Sequence, residues 1–198
     1  MKHKRLTRLL SMLLVIATLV GLLAVPASAA GSLGSSVTVK ITQAGFGNYL
    51  NKKSGGSIGG GYWKYTSNDG LTGSAYCVNW GLTGVSASKS LTVQEYTRNP
   101  QTMGAFANGY PNRTLAQFKD LHSSDVRGIA QLTEDEYKYA TQVAVWATCG
   151  QLGVPGTSFT AGRTSVVEPT SDARQIRIFD SVKAILALSA HWDTPTPA

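Results

Sequence analysis

The spacing of apolar positions changes once along the chain. "VTVKI" (37–41) sets Val37, Val39 and Ile41 against polar neighbours, the two-residue alternation of a half-buried strand. "SAYCVNW" (Ser74 to Trp80) and "SLTVQEYT" (Ser90 to Thr97) read as two further strands, separated by the turn-like "GLTGVSAS". The stretch "SGGSIGGGYW" (Ser54 to Trp63) carries five glycines, but neither Lys-Ser/Thr nor a helical pattern follows it. It therefore reads as a flexible turn rather than a phosphate cradle.

Past "NGYP" (Asn108 to Pro111) the period becomes helical. Thr114 can cap a short helix whose apolar positions are Leu115, Phe118 and Leu121. Thr133 with Glu136 makes a capping box that opens a longer helix, from about Glu134 to Cys149, with Gly150 as its stop. "TSVVE" (Thr164 to Glu168) reads as a returning strand. Residues 172–190 form an amphipathic helix with Ile176, Phe179, Ile185 and Leu188 along its apolar side. Strands, then helices, then a strand and a last helix predict an α+β fold.

The two ends of the chain stand apart from this pattern. Lys2, Lys4, Arg5 and Arg8 precede a mostly apolar run from Met12 to Val25, and Ala27-Ser28-Ala29 follows with small residues where a signal peptidase reads. Residues 1–29 are thus expected to be a secretory signal peptide, too short in its apolar run for a membrane anchor. Residues 30–191 are expected to form one domain that does not itself bind a membrane. Residues 192–198, ending in "DTPTPA", read as the start of a Pro/Thr-rich linker. The sequence contains no Leu-Pro-x-Thr-Gly sorting motif.

Removing the leader changes the charge argument. The whole chain has 18 basic and 11 acidic residues, a net charge of +7; four of the basic ones lie in the leader, which leaves 14 against 11, or +3. No Lys/Arg cluster remains, so nucleic-acid binding is excluded. Only Cys77 and Cys149, with His122 and His191, supply soft ligands in the mature chain, and none stand at metal-ligand spacing, so neither a metal nor a cofactor is expected. In an exported protein the simplest expectation for two cysteines is a Cys77–Cys149 disulfide, which would make the chain a non-covalent binding module. A cysteine hydrolase using Cys77 with His122 or His191 fits less well, because such nucleophiles usually open a helix. Asn112-Arg113-Thr114 matches a glycosylation acceptor, although Thr114 already serves as a cap.

One residue sits oddly in the helical pattern. In "YATQVAVW" (Tyr139 to Trp146), Gln142 lies on one face with Tyr139 a turn before and Trp146 a turn after. Cys149 is seven positions further, roughly 10 Å along the axis at about 1.5 Å per residue, and so out of reach. Cys77 is the other candidate: in "YCVNW" strand alternation sets Cys77 and Asn79 opposite Tyr76, Val78 and Trp80, facing whatever covers the sheet. A thiolate that attacks the glutamine carboxamide expels ammonia and leaves an intramolecular thioester, which an external amine can open. Aromatic neighbours would keep water away until then.

These residues resemble the thioester domains, or TQXA domains, of Gram-positive bacterial surface adhesins. "YCV" (Tyr76 to Val78) is similar to the family's aromatic-Cys-apolar motif, "TQVAVW" (Thr141 to Trp146) to its Thr-Gln-x-Ala-apolar-Trp motif, and "NGYP" to a Gly-Tyr-Pro segment between them. The resemblance covers about residues 36 to 190. It implies an antiparallel sheet or sandwich with an inserted helical subdomain, joined by a thioester from Cys77 to Gln142. Trp146, Thr141, Tyr139 and Tyr76 are implied as supporting residues, Thr141 by positioning alone. It implies a secreted or cell-surface adhesin that captures an amine, typically a lysine, of a host or extracellular protein. This would be single-turnover chemistry rather than turnover catalysis.

Overall fold

The computed structural model describes residues 36–68, 70, 72–80, 87–92 and 99–192. The leader at 1–29, the tail at 193–198 and the end of "SLTVQEYT" lie outside them. Strand β1 (Ser36–Gly47) pairs antiparallel with β2 (Gly60–Ser67) on one side and β4 (Ala87–Thr92) on the other. β3 (Thr72–Ala75) adds to the outer edge of β2, giving a four-stranded antiparallel sheet in the order β3-β2-β1-β4. A register shift between Gln43 and Gly45 bulges β1 where it meets Trp63 and Tyr62. A short parallel pair, β5 (Leu152–Gly153) with β6 (Thr164–Ser165), completes the strands. Among the described residues these strands form one sheet and one small pair.

Among the described residues four α-helices follow: α1 (Pro100–Asn108), α2 (Leu115–Leu121), α3 (Glu134–Thr148) and α4 (Ala173–Ala190). The sequence reading omits α1, although Asn99 caps it by accepting from the Thr102 N–H and Pro100 opens it, a legible start signal. Thr114 caps α2 and Thr133 caps α3, each as a full capping box. α3 is buried on nearly every side from Tyr139 to Thr148 and packs against α4, α1, β2 and β1. A helix buried all round is a core element rather than a surface one.

Three expectations need correction. The glycine-rich stretch is only half turn: Gly55 and Gly56 take positive φ, but Gly60 and Gly61 begin strand β2. A Cβ at Gly60 would stand 2.9 Å from the Tyr139 ring, so glycine here lets the sheet lie directly on α3. On α4 the buried face is Ile178, Phe179, Val182, Ile185, Leu186 and Ser189, with Ile176 and Leu188 only half-buried at its flanks. "TSVVE" forms just two residues of ladder, after which Val166 bridges to Lys52. Among the described residues, no helix is long and apolar enough to cross a membrane.

Candidate functional site

Strand β3 ends at Ala75, so Tyr76 to Trp80 do not continue the strand as the alternation predicts. The physical reason lies at Cys77, whose backbone pairs with a side chain instead of a strand. Its N–H donates to Gln142 Oε1 at 2.9 Å, and its C=O accepts from Gln142 Nε2 at 2.7 Å. The glutamine carboxamide thus imitates a β-bridge across one residue. Gln142 is fully buried in the middle of α3, and these two bonds satisfy an amide that would otherwise be costly there. Gly60 backs it, with a Cβ at that position lying 3.7 Å from Gln142 Cγ.

The same two bonds aim a main-chain donor at the Gln142 acyl oxygen and a main-chain acceptor at its nitrogen. A backbone N–H already pointed at an acyl oxygen is the kind of donor that stabilises a tetrahedral oxyanion. The Nε2, which would leave as ammonia, rests on the Cys77 carbonyl. The Cys77 S–H donates to the Asn79 main-chain oxygen at 3.1 Å.

The supporting residues brace this contact from both sides. Thr141 Oγ1 donates to the Tyr137 carbonyl at 2.9 Å and accepts from the Tyr110 N–H at 3.0 Å, tying α3 to the "NGYP" loop. Tyr76 OH donates to the Tyr110 carbonyl at 2.6 Å, tying the same loop to the residue before Cys77. Tyr139 OH donates to the Ile58 carbonyl at 2.7 Å and accepts from the Leu50 N–H, fixing the approach to β2. Burial pushes the phenols of Tyr76 and Tyr139 well above their ordinary range, so both remain protonated donors. Trp146 is buried one turn beyond Gln142.

Charges collect on the turn before the glutamine. Lys138 sits with Nζ 5.0 Å from the ring centres of both Tyr62 and Tyr110 and pairs with Glu134 at 2.7 Å. Burial alone would lower this ammonium, but the Glu134 hydrogen bond and charge outweigh it and raise its pKa. Glu136 is buried at 1% exposure and held by Arg174 and Arg177, each at 2.7 Å. Burial alone would raise its carboxyl; the bonds from Arg177, the Thr133 backbone and Arg174 prevail and hold it below the usual carboxylate range. This ion-pair cluster locks α3 to α4.

The other sequence candidates lie apart. Cys77 meets α3 at Gln142, two turns before Cys149, and the two sulfurs are not bonded to each other. Cys149 lies at the C-cap of α3, with Sγ 3.6 Å from Thr102 Oγ1. His122 is buried against Phe118 and bonds Asp125 through Nδ1 at 3.2 Å, while His191 ends α4 beside a groove of about 550 Å³. No described hydrogen bond brings either histidine to Cys77 or Gln142. Asn79, Gly60 and Tyr110 also touch this contact or its braces, and of the three only Tyr110 lies in a motif legible in the sequence, "NGYP".

Comparison with curated proteins and with solved structures finds no match. A search against protein families does: the thioester domain matches residues 74–182, more than half of the chain, and spans both Cys77 and Gln142. This protein belongs to the thioester domain family.

Proposed function

We propose that this chain is the reactive domain of an exported or cell-surface adhesin, in which Cys77 and Gln142 form an internal thioester that captures a primary amine on a host or extracellular protein. The observation that carries the reading is the doubly hydrogen-bonded contact between the Gln142 carboxamide and the Cys77 backbone. In the first step Cys77 Sγ attacks Gln142 Cδ, the oxyanion at Oε1 is held by the Cys77 N–H, and the C–N bond breaks. The thiol proton leaves with Nε2 as ammonia.

In the second step an amine attacks the same carbon, the C–S bond breaks, and an amide joins Gln142 to the target while Cys77 regains its thiol. Each domain reacts once, so the product is a covalent attachment rather than a released molecule. The complete burial of Gln142, with Gly60 against its Cγ, slows hydrolysis by limiting the approach of water.

The test is adduct formation with a lysine-bearing peptide. A product that survives denaturant and reductant, maps to an amide between Gln142 and the lysine, and is missing in Gln142→Ala is the expected result. Equal labelling of the wild type and Gln142→Ala would refute the proposal.

A further inference from the structure

Two residues beyond Cys77, Asn79 carries two acceptor oxygens whose situation is unusual. Its main-chain oxygen takes the Cys77 S–H at 3.1 Å, and its side-chain Oδ1 is buried with no hydrogen-bond partner among the described residues. Buried side-chain acceptors are normally paired, so an orphan oxygen on the residue whose main chain holds the Cys77 thiol calls for a donor that arrives later. Closing the thioester strengthens the case. Sγ then has no hydrogen left to give, and the Asn79 carbonyl loses its donor as well.

We propose that Asn79 receives the target amine, its two oxygens accepting the two N–H bonds of a primary amine so that the nitrogen lone pair is left to attack Gln142 Cδ. The inference rests on the thioester reading above and names the residue that selects a primary amine over a secondary one. A primary amine satisfies both acceptors; a secondary amine, with one N–H, satisfies only one. As the C–N bond forms and the C–S bond breaks, one amine proton passes to Sγ, which restores the S–H and its bond to the Asn79 carbonyl. No oxidant or further reactant is needed.

The experiment follows the intact mass of the wild type, Asn79→Ala and Asn79→Asp during incubation with methylamine and, separately, dimethylamine. The ratio of the two rates cancels the amines' intrinsic difference when variants are compared. Loss of one neutral hydrogen bond in the transition state predicts that the methylamine preference of Asn79→Ala falls roughly three- to tenfold below wild type. Asn79→Asp keeps an acceptor and should stay near the wild-type ratio.

An unchanged ratio in Asn79→Ala, or an equal fall in both variants, would overturn the assignment. A variant that fails to lose ammonia while the wild type does would place Asn79 in closing the bond instead, which also overturns it. If the wild type itself shows no loss of ammonia, the thioester reading fails, and that outcome is separate from the others because it appears before any amine is added.

Discussion

Replacing Thr141 with valine isolates the motif's first residue from its glutamine. Valine matches threonine in shape, so no cavity opens in the fully buried site; what disappears is the hydroxyl that accepts the Tyr110 N–H at 3.0 Å. The bond to the Tyr137 carbonyl is also lost, but a helical carbonyl of this kind is the smaller deficit because it accepts along the helix as well. The Tyr110 amide, left part-buried without its acceptor, sets the cost at about 1–3 kcal/mol. For a domain of this size that corresponds to a melting temperature lower by roughly 2–12 °C. The assay is chemical or thermal unfolding in a Cys77→Ala background, so that no crosslink contributes to either protein. A second readout is hydrolysis of the thioester in Thr141→Val with Cys77 intact, which should be faster because the Tyr76–Tyr110 brace is loosened. Stability within 0.5 kcal/mol of the parent, with unchanged hydrolysis, would refute the positioning role given to Thr141.

Further predictions follow from the surroundings of the site. Gly60→Val should destabilise the domain and slow thioester formation, since its Cβ would press on the Tyr139 ring; unfolding curves and the mass of the purified protein check both effects. Glu136→Gln should cost about 3 kcal/mol, at the low end for a broken buried ion pair because Arg174 is half exposed, measured by denaturant unfolding. Since the folded carboxyl of Glu136 lies below its unfolded value, its contribution is present above the ordinary glutamate pKa and is lost as pH falls through the folded one; the acid limb of a stability-pH curve should flatten in Glu136→Gln. Cys149→Ser should leave amine capture unchanged within about twofold, followed by intact mass, because Cys149 lies two turns of α3 beyond Gln142 at about 1.5 Å per residue.

The helical half of this fold was legible because its signals are local. Thr133 and Glu136 form the expected capping box, and α3 runs from Glu134 to Thr148, one residue short of the reading at its end. The amphipathic face of α4 was placed less well, because apolar residues surround much of that helix and the choice among them is made by α1 and α3. Strand β2 was hidden for a different reason: glycines that usually mark turns stand in it because Tyr139 and Trp63 need the space, which only the tertiary contact reveals. Cys77 was singled out by its motif but given the wrong local structure. Its ladder partner is the side chain of Gln142, 65 positions away, and no local pattern encodes such a pairing. Asn79 was seen only as the neighbour of Cys77 on one strand face, so its buried oxygen had no meaning until the turn was in view.

The central claim is that Cys77 and Gln142 react with each other. Its most direct test is the intact mass of the chain without residues 1–29, measured before and after methylamine, beside Cys77→Ala and Gln142→Ala. The account predicts a mass short by one ammonia, rising by one methylamine on incubation, with neither change in the two variants. A mass short by two hydrogens and restored by reductant would instead establish a Cys77–Cys149 disulfide, and that result, or a full unmodified mass, would contradict the account.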